Sequence, residues 1–173
     1  MPARVTAFSF LILLLILTTS SPASDDAGFR SLFNGRDLTG WSGDKKFWSV
    51  EDGAITGRTT AENPTKRNTF LIWTQGEVDD FVLKLKYRIV DGNSGIQYRS
   101  ADLGNHVVSG HQADFEAGDT WSGAHYEERG RGTLARRGLK TRVGKDGKSV
   151  PIGTFGDTAL LQRAIDKKDW NEY

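Results

Sequence analysis

The sequence contains no cysteine among its 173 residues. This absence excludes disulfide bonds, a lipid-bearing cysteine of the lipoprotein type and any metal site built on thiolates. The chain also lacks a hydrophobic run long enough to cross a bilayer, because the run from Val5 to Leu17 is shorter than the roughly 20 residues that a membrane helix needs. The sequence shows no heptads, internal repeats or long amphipathic helix. The length is typical of one domain with a sizeable core.

The N-terminus has the pattern of a targeting signal. Arg4 gives a positively charged start, Val5 to Leu17 is apolar, and Ser21-Pro22-Ala23 offers the small residues that a signal peptidase requires. We therefore predict cleavage after Ala23 and export of the chain to the periplasm or the extracellular space. The alternative is an uncleaved anchor, which the short apolar run disfavours.

This prediction divides the chain into a signal peptide at residues 1–23, a polar linker at 24–28 and one domain at 29–173. Arg4 is the only charged residue of the signal peptide, so the remainder carries 22 basic and 22 acidic residues. A neutral exported domain has no general electrostatic attraction to nucleic acid or to a membrane surface. We therefore expect no nucleic-acid partner, and no stable membrane anchor after cleavage.

One segment, residues 129–148, departs from this neutrality. Against the single acid Asp146 it carries a series of basic residues, namely Arg129, Arg131, Arg136, Arg137, Lys140, Arg142, Lys145 and Lys148. We interpret the segment as a solvated, protruding hairpin or loop. A site for an anionic polymer is the alternative.

Short alternating segments separated by turns predict an all-β domain. Residues 47–58 form a predicted hairpin with Asp52-Gly53 at its turn, and residues 69–74 form a short strand. The clearest strand is Phe81 to Ile89, where apolar and polar residues alternate as expected for one buried and one solvated face. After a glycine-containing turn, Ser94 to Arg99 is expected to pair back onto this strand.

Further strands are expected at residues 107–115 and 122–128. Residues 133–155 are basic, contain glycine and are expected to be irregular, and Leu160 to Asp169 fits either a short helix or the lead into a strand. Short strands with turns at close intervals are typical of an all-β sandwich.

The side chains that could bind a ligand or take part in a reaction are concentrated between positions 92 and 131. This stretch holds every histidine of the protein together with acids, arginines and aromatic rings, namely His106, His111, His125, Asp114, Glu116, Glu127, Glu128, Arg99, Arg129, Arg131, Tyr98, Trp121 and Tyr126. Amides and carboxylates bind hydroxyl groups, and aromatic rings stack on apolar ring faces. The stretch therefore predicts a site for a polar small molecule, with a sugar as the natural candidate.

Five segments carry a family resemblance over residues 28–173. They are residues 29–41 (FRSLFNGRDLTGW), 48–53 (WSVEDG), 80–85 (DFVLKL), 93–100 (NSGIQYRS) and 108–114 (VSGHQAD). In this order they resemble the 3-keto-disaccharide hydrolase domain family. Because several separate motifs occur in sequence, the resemblance is much more specific than any single motif.

The resemblance implies a jelly-roll β-sandwich of the concanavalin-A or LamG type. It also implies action on glycosides whose glucose ring has been oxidised at C3. Two features depart from the family pattern. His111 stands where the family usually has tyrosine, and the family domain continues beyond a Trp-Asn-Glu-Tyr segment such as residues 170–173. We therefore expect the last strands of the sandwich to be missing from this chain.

The implied chemistry sets requirements for the site. A 3-ketone acidifies the proton at C2, a base removes it, and the resulting enediolate expels the C1 substituent before water adds. Such a site needs a general base, stabilisation of the enediolate oxygen and an acid for the leaving group. A divalent metal would meet the second need, so it is the one cofactor considered. Its ligands cannot be assigned from the sequence, because no HxH or HExxH spacing is present.

We hypothesise that Asp114 and Glu127 form the acid/base pair. Gln112, His125 and Arg129 are then expected to bind the sugar or a metal. In strands, Asp114 shares a face with Gln112, and Glu127 shares a face with His125 and Arg129. The alternative is a network of hydrogen-bonded salt bridges that stabilises a concave sheet face.

Two further residues are candidates for substrate binding. Arg99 is expected either to bind a ligand or to pair with a nearby carboxylate. Trp121 lies between glycine-containing segments and is the preferred ring for stacking on a sugar.

The leading functional hypothesis is an exported hydrolase that cleaves the glycosidic bonds of 3-keto-glycosides or 3-keto-disaccharides, with a carbohydrate as its substrate. A non-catalytic carbohydrate-binding module is one alternative, because the same sandwich serves lectins equally well. An inactive, truncated family member is another. Loss of Asp114 would abolish turnover in an enzyme, whereas in a binding module it would only weaken binding.

Overall fold

The computed structural model describes residues 28–173. The chain divides into two compact units, Met1–Ser31 and Leu32–Tyr173. The predicted signal peptide and all but the last residue of the predicted linker lie outside the described residues.

The described residues form twelve strands and one short helix, all in the second unit. They are β1 (Trp41–Ser42), β2 (Trp48–Glu51), β3 (Ala54–Gly57), β4 (Ile72–Trp73), β5 (Lys86–Tyr87), β6 (Asn93–Asp102), β7 (Val108–Glu116), β8 (His125–Glu128), β9 (Gly132–Ala135), β10 (Leu139–Val143), β11 (Ser149–Thr154), α1 (Thr158–Arg163) and β12 (Asn171–Glu172). The predicted all-β class is confirmed. The jelly-roll topology stays a prediction, because strand pairing among these residues gives five separate antiparallel sheets.

The central feature is a four-stranded antiparallel sheet in the order β6–β7–β8–β9. Its two long strands are β6 and β7, which pair from Asn93 opposite Glu116 to Asp102 opposite Val108. The strands expected at residues 107–115 and 122–128 are therefore present. The expected pairing of residues 94–99 with the preceding segment is wrong, since β6 pairs with β7 and β5 pairs with β12.

The predicted hairpin at residues 47–58 is confirmed. Strands β2 and β3 pair with Glu51 opposite Ala54, which leaves Asp52 and Gly53 as a two-residue turn. Both turn residues have positive φ, 51° and 74°. This is the backbone of a type I′ turn, which matches the twist of the flanking strands and favours an Asp-Gly pair.

The segment from Phe81 to Ile89 is a much shorter strand than its alternation predicts. Only Lys86 and Tyr87 lie in a ladder, and Phe81 and Leu83 stay about 40% exposed. The alternation itself persists, because Tyr87 is buried while Lys86 and Arg88 are exposed. The pattern therefore identified the inward face, but a ladder also needs a partner strand, which sequence alternation does not report.

Residues 133–155 are more regular than predicted. They contain β9, β10 and β11, and β10 pairs with β11 across the Gly144–Lys148 turn. The interpretation of the basic segment as a hairpin is thus supported for its C-terminal part. Of the two options for Leu160 to Asp169, a helix is observed at its start, where the Asp157 side chain accepts hydrogen bonds from the first backbone amides of α1.

An aromatic cluster packs at one end of the four-stranded sheet. The rings of Tyr87 and Phe115 stack with centroids 4.2 Å apart, and Tyr173 meets both edge-on. The Tyr173 hydroxyl donates to the backbone oxygen of Asp114 at 2.8 Å, and its backbone exchanges two hydrogen bonds with Leu85. The cluster thus ties β5 and β12 to β7.

No helix among residues 28–173 is long and apolar enough to cross a bilayer.

Candidate functional site

One face of the four-stranded sheet carries amides and carboxyls. Residues directly opposite each other on neighbouring strands share a face, and residues alternate faces along a strand. Gln112 on β7 lies opposite Gln97 on β6 and Tyr126 on β8, and Glu128 lies opposite Gly110. We call this the amide face and define it by Gln97, Gln112, Asp114, Tyr126 and Glu128.

The other face carries imidazole and phenol rings. His111 lies opposite Tyr98 on β6 and Glu127 on β8, and His125 lies opposite Ala113. We call this the histidine face and define it by Tyr98, His111, His125 and Glu127. The sequence prediction that Asp114 shares a face with Gln112, and His125 with Glu127, agrees with this register.

A directed chain of hydrogen bonds runs along the amide face. Ser100 Oγ donates to Gln97 Oε1 at 2.8 Å, Gln97 Nε2 donates to Gln112 Oε1 at 2.9 Å, and Gln112 Nε2 donates to Asp114 Oδ1 at 2.6 Å. An ionised carboxylate only accepts hydrogen bonds, so Asp114 fixes the orientation of both amides. The chain holds the carboxyl in one position and engages one of its oxygens.

Asp114 is the most unusual titratable group of this face. The residue is 5% exposed, and none of the ion pairs among the described residues involves it. Burial raises the pKa of the Asp114 carboxyl above its usual value, while the hydrogen bond from Gln112 partly opposes the rise. A buried carboxyl held by neutral amides and shifted towards neutral pH has the properties of a general base.

Two other groups on the amide face extend the site along β8. Tyr126 is diagonal to Asp114, a separation of about 7–8 Å between neighbouring strands. Glu128 lies two residues beyond Tyr126 and opposite Gly110, which is four residues from Asp114 on β7. It is therefore about 13 Å from Asp114 in the strand direction. It is 8% exposed and accepts a hydrogen bond from Asn68 Nδ2 at 2.8 Å. The face is thus a row of polar groups longer than one pyranose ring.

The histidine face is half-exposed and built from three rings. His111 Nδ1 and His125 Nε2 lie 2.9 Å apart, so one imidazole donates to the other. Tyr98 is nearly parallel to both, with centroids 5.8 Å from His111 and 6.0 Å from His125. Burial and the neighbouring His111 lower the pKa of His125. The lowered pKa favours the neutral form of His125, and the two imidazole planes are tilted by 43° to each other.

Glu127 is locked into the turn between β8 and β9. Its carboxylate accepts hydrogen bonds from the Arg131 guanidinium and, at 2.9 Å, from the Arg131 backbone amide. The hydrogen bonds from Arg131 lower the pKa of Glu127 to about 2. A carboxylate so firmly ionised is a poor proton donor at neutral pH, and its contacts are those of a residue that closes a turn.

The predicted acid/base pair is not brought together. Asp114 belongs to the amide face and Glu127 to the histidine face, so the sheet itself separates the two carboxyls. The physical reason is the register between β7 and β8, which places the even-numbered residues of both strands on one face and the odd-numbered residues on the other.

Arg99 and Trp121, the two further candidates for substrate binding, both have partners within the protein. Arg99 sits at a bulge of β6 with φ of 46° and forms ion pairs with Asp79 and Asp80 at 3.6 and 3.1 Å. These ion pairs correspond to the second expectation for Arg99, in which it pairs with a nearby carboxylate. Trp121 has one ring face covered by the Arg136 guanidinium, 4.5 Å from the ring centroid. That ring face is therefore not available for stacking on a sugar.

Arg129 does not continue the face of His125 and Glu127. Strand β8 ends at Glu128, and Arg129 turns away with φ of 56°. Its exposed side chain lines a shallow cavity of about 200 Å³ together with Arg67 and Asn105. This cavity borders the end of the amide face where Glu128 lies.

The described residues do not form a metal site of three or more ligands. No group of three or more His, Asp or Glu side chains among residues 28–173 is arranged to hold an ion. His111 and His125 supply two nitrogens that face each other, and the nearest carboxylate, Glu127, is taken by Arg131. The arrangement of these residues therefore does not fit the divalent metal considered from the sequence.

Sequence reasoning missed Gln97 and Tyr126. Both lie on strands flanking β7, directly opposite Gln112. Gln97 carries the same i, i+2 relation to polar neighbours as Gln112, but only the register of β6 against β7 shows that the two amides meet. Tyr126 was noted for its ring, and its position beside Asp114 depends on the pairing of β7 with β8.

A family model for the 3-keto-alpha-glucoside-1,2-lyase-like domain matches residues 28–173. The chain belongs to this family. No match was found among curated proteins. The five motifs that carried the resemblance all lie within the matched range, and two of them supply Gln97, Gln112 and Asp114 of the amide face.

Proposed function

We propose that this domain cleaves glycosides whose glucose ring carries a ketone at C3. Removal of the C2 proton gives an enolate, re-formation of the ketone expels the C1 oxygen, and a C1–C2 double bond results. The expelled C1 oxygen takes up a proton and leaves as the free alcohol, and addition of water across the double bond then yields 3-keto-glucose. Family membership supports this reaction class, and the amide face supplies the groups that it needs.

Asp114 is the proposed base. The observation that carries the proposal is a buried carboxyl with a raised pKa, held by the Gln97–Gln112 chain and without a cationic partner among the described residues. Proton abstraction next to a ketone needs a base whose pKa approaches the working pH, and a rigid position relative to the C2 proton. The amide chain leaves one carboxyl oxygen for the substrate.

Tyr126 is the proposed proton donor to the leaving oxygen. It is half-exposed, lies diagonally across from Asp114 and shares the amide face. A separation of about 7–8 Å between the two strand positions leaves room for the C1–C2 bond between base and acid. Glu128 is too far along the strand to act on the same bond.

Export belongs to the same proposal. The N-terminal pattern of a charged start, an apolar run and small residues motivates it. N-terminal sequencing of the secreted or periplasmic protein from an expressing bacterium should begin at Ser24. A protein retained in the cytoplasm with an intact Met1 would contradict the proposed export.

The first test is turnover of a 3-keto-glucoside with a chromogenic leaving group by the chain from Ser24. Asp114→Asn keeps the shape of the side chain but abolishes the base, so a loss of about 10²- to 10⁴-fold in kcat is expected. The matched control is Glu127→Gln, the same change on the opposite face, which should retain most of the activity. Equal losses of kcat in the two variants would contradict the role of Asp114 as the base.

A second candidate function is carbohydrate binding without catalysis. The rings of Tyr98, His111 and His125 lie together on the half-exposed histidine face, with Tyr98 inclined by 24° and 25° to the two imidazoles, and aromatic side chains are groups on which sugars stack. In that case Tyr98→Ala should abolish binding to a glycan array or in calorimetry, whereas Asp114→Asn should not. Turnover by the wild-type chain, lost in Asp114→Asn, would exclude a purely binding role.

A further inference from the structure

The cavity beside Arg129 has a composition that the proposed reaction does not use. Its lining combines two arginines with residues of the loop after β6, namely Arg67, Leu103, Gly104, Asn105, Val107 and Arg129. At about 200 Å³ it is smaller than the roughly 300–1,000 Å³ of typical ligand pockets, so it suits one end of a ligand that extends elsewhere.

The cavity is fixed to the end of the amide face by two contacts. The Asn68 amide donates to Glu128 at 2.8 Å, which joins the two chain segments that carry Arg67 and Arg129. The Phe70 backbone amide donates to the His106 carbonyl at 3.1 Å, which joins the same segment to the loop after β6. A ligand that reaches from Asp114 past Tyr126 would therefore arrive at this cavity.

Neither arginine is neutralised by a carboxylate within the part of the chain that the structure describes. None of its ion pairs includes Arg67 or Arg129. The two nearby carboxyls accept hydrogen bonds from neutral donors, Glu128 from Asn68 and Asp102 from the backbone amide of Gly104, and neither forms an ion pair with an arginine among the described residues. Two unpaired guanidinium groups on one concave surface attract a planar anion.

We propose that this cavity binds a carboxylate carried by the part of the substrate that lies beyond the 3-keto ring. The inference rests on the proposed function, because the reaction at Asp114 sets where the keto ring sits. The distance of about 13 Å between Asp114 and Glu128 along the strand exceeds one ring. The preferred substrates are therefore 3-keto-glucosides of acidic partners, such as a uronic acid or an aromatic acid.

The test compares two chromogenic 3-keto-glucosides, one with a nitrophenyl leaving group and one with the same group bearing a carboxylate. For the wild-type chain, KM should be about tenfold lower for the carboxylated substrate, the scale of one charge-assisted hydrogen bond. In Arg67→Gln and Arg129→Gln this preference should fall towards one. The matched control is Arg142→Gln, an exposed arginine on β10 outside the cavity, which should keep the tenfold preference.

A preference that is absent in the wild-type chain, or equally reduced by Arg142→Gln, would overturn the proposal while turnover itself still supports the reaction. If neither substrate is turned over, the proposed function fails. Whether the cavity binds a carboxylate is then tested by a direct binding measurement. Glucuronate and glucose are then titrated against labelled protein, and the side-chain Nε–Hε signals of the arginines are followed by NMR. Shifts with glucuronate alone, at Arg67 and Arg129 but not Arg142, support the site, and uniform shifts reject it.

Discussion

The two faces of the four-stranded sheet place carboxyl groups in opposite environments. On the amide face, Asp114 is buried among neutral side chains, and its pKa is raised. On the histidine face, Glu127 is held by Arg131 in a turn, and its pKa is lowered to about 2. Desolvation without a cation stabilises the neutral acid, whereas hydrogen bonds from a guanidinium stabilise the anion.

The comparison shows why residue type alone does not identify a catalytic acid or base. Both carboxyls lie in the same polar stretch, on adjacent strands, and within 13 positions of each other. Only Asp114 has the protonation behaviour that proton abstraction requires, while Glu127 makes the contacts of a structural ion pair. The aromatic groups divide in the same way, with Tyr126 on the amide face and Tyr98 on the histidine face.

After Asp114→Asn against Glu127→Gln, the next largest contrast comes from removing one phenolic hydroxyl on each face. Tyr126→Phe deletes the proposed proton donor and should lower kcat for an alkyl 3-keto-glucoside by about 10²-fold. Tyr98→Phe makes the same change on the histidine face and should alter kcat by less than about twofold.

The leaving group provides the control for this prediction. A nitrophenolate leaves without protonation, so the loss in Tyr126→Phe should shrink towards onefold with a nitrophenyl substrate. An equal loss with both substrates would assign Tyr126 a structural role and not that of a proton donor.

A second contrast concerns stability. Gln112→Met preserves the approximate length of the side chain but leaves Gln97 and Asp114 without their buried partner. We expect a loss of about 1–3 kcal/mol in the free energy of unfolding. His111→Met is the counterpart on the half-exposed face and should cost less. Urea unfolding followed by tryptophan fluorescence measures both, and a larger loss at His111 would reverse the assignment of the buried face.

The pH dependence of turnover sharpens the role of the amide chain. Asp114 accepts a proton only when ionised, so kcat/KM should fall as the pH drops through its raised pKa, above the ordinary 3.8. In Gln112→Met the carboxylate loses a stabilising hydrogen bond, so this acid limb should move to higher pH. A limb that stays in place in the variant would show that Gln112 does not act on the ionisation of Asp114.

The smallest expected effect is a difference in the sign of the pH dependence of stability. Glu127 has a lowered pKa, so its stabilising contribution is present above pH 4.5 and is lost as the pH falls towards about 2. Asp114 has a raised pKa, so its contribution is present below pH 3.8 and is lost as the pH rises through the folded value. The difference in unfolding temperature from the wild type should therefore change with pH in opposite directions for Glu127→Gln and Asp114→Asn. Thermal unfolding between about pH 2 and pH 7 covers the titration of both groups. Parallel curves would contradict the contrast between the faces.

The sequence by itself determined the all-β class, the hairpin around Asp52-Gly53 and the inward direction of Tyr87. These features depend on local chemistry, since an Asp-Gly pair suits a type I′ turn and period-two alternation marks one face of a strand. The pairing of Asp114 with Gln112 was equally accessible, because residues two apart in a strand share a face whatever the strand pairs with.

Tertiary structure alone decided which residues meet across strands. The separation of Asp114 from Glu127, the contact of Gln97 with Gln112 and the position of Tyr126 all follow from the register of β6, β7 and β8. That register is set by the loop that Glu116 closes through the Trp121 backbone amide at 2.7 Å, and by the bulge at Arg99. A shift of one residue in the pairing would exchange the two faces. The alternation of residues within a single strand does not show which register the strand adopts with its neighbour.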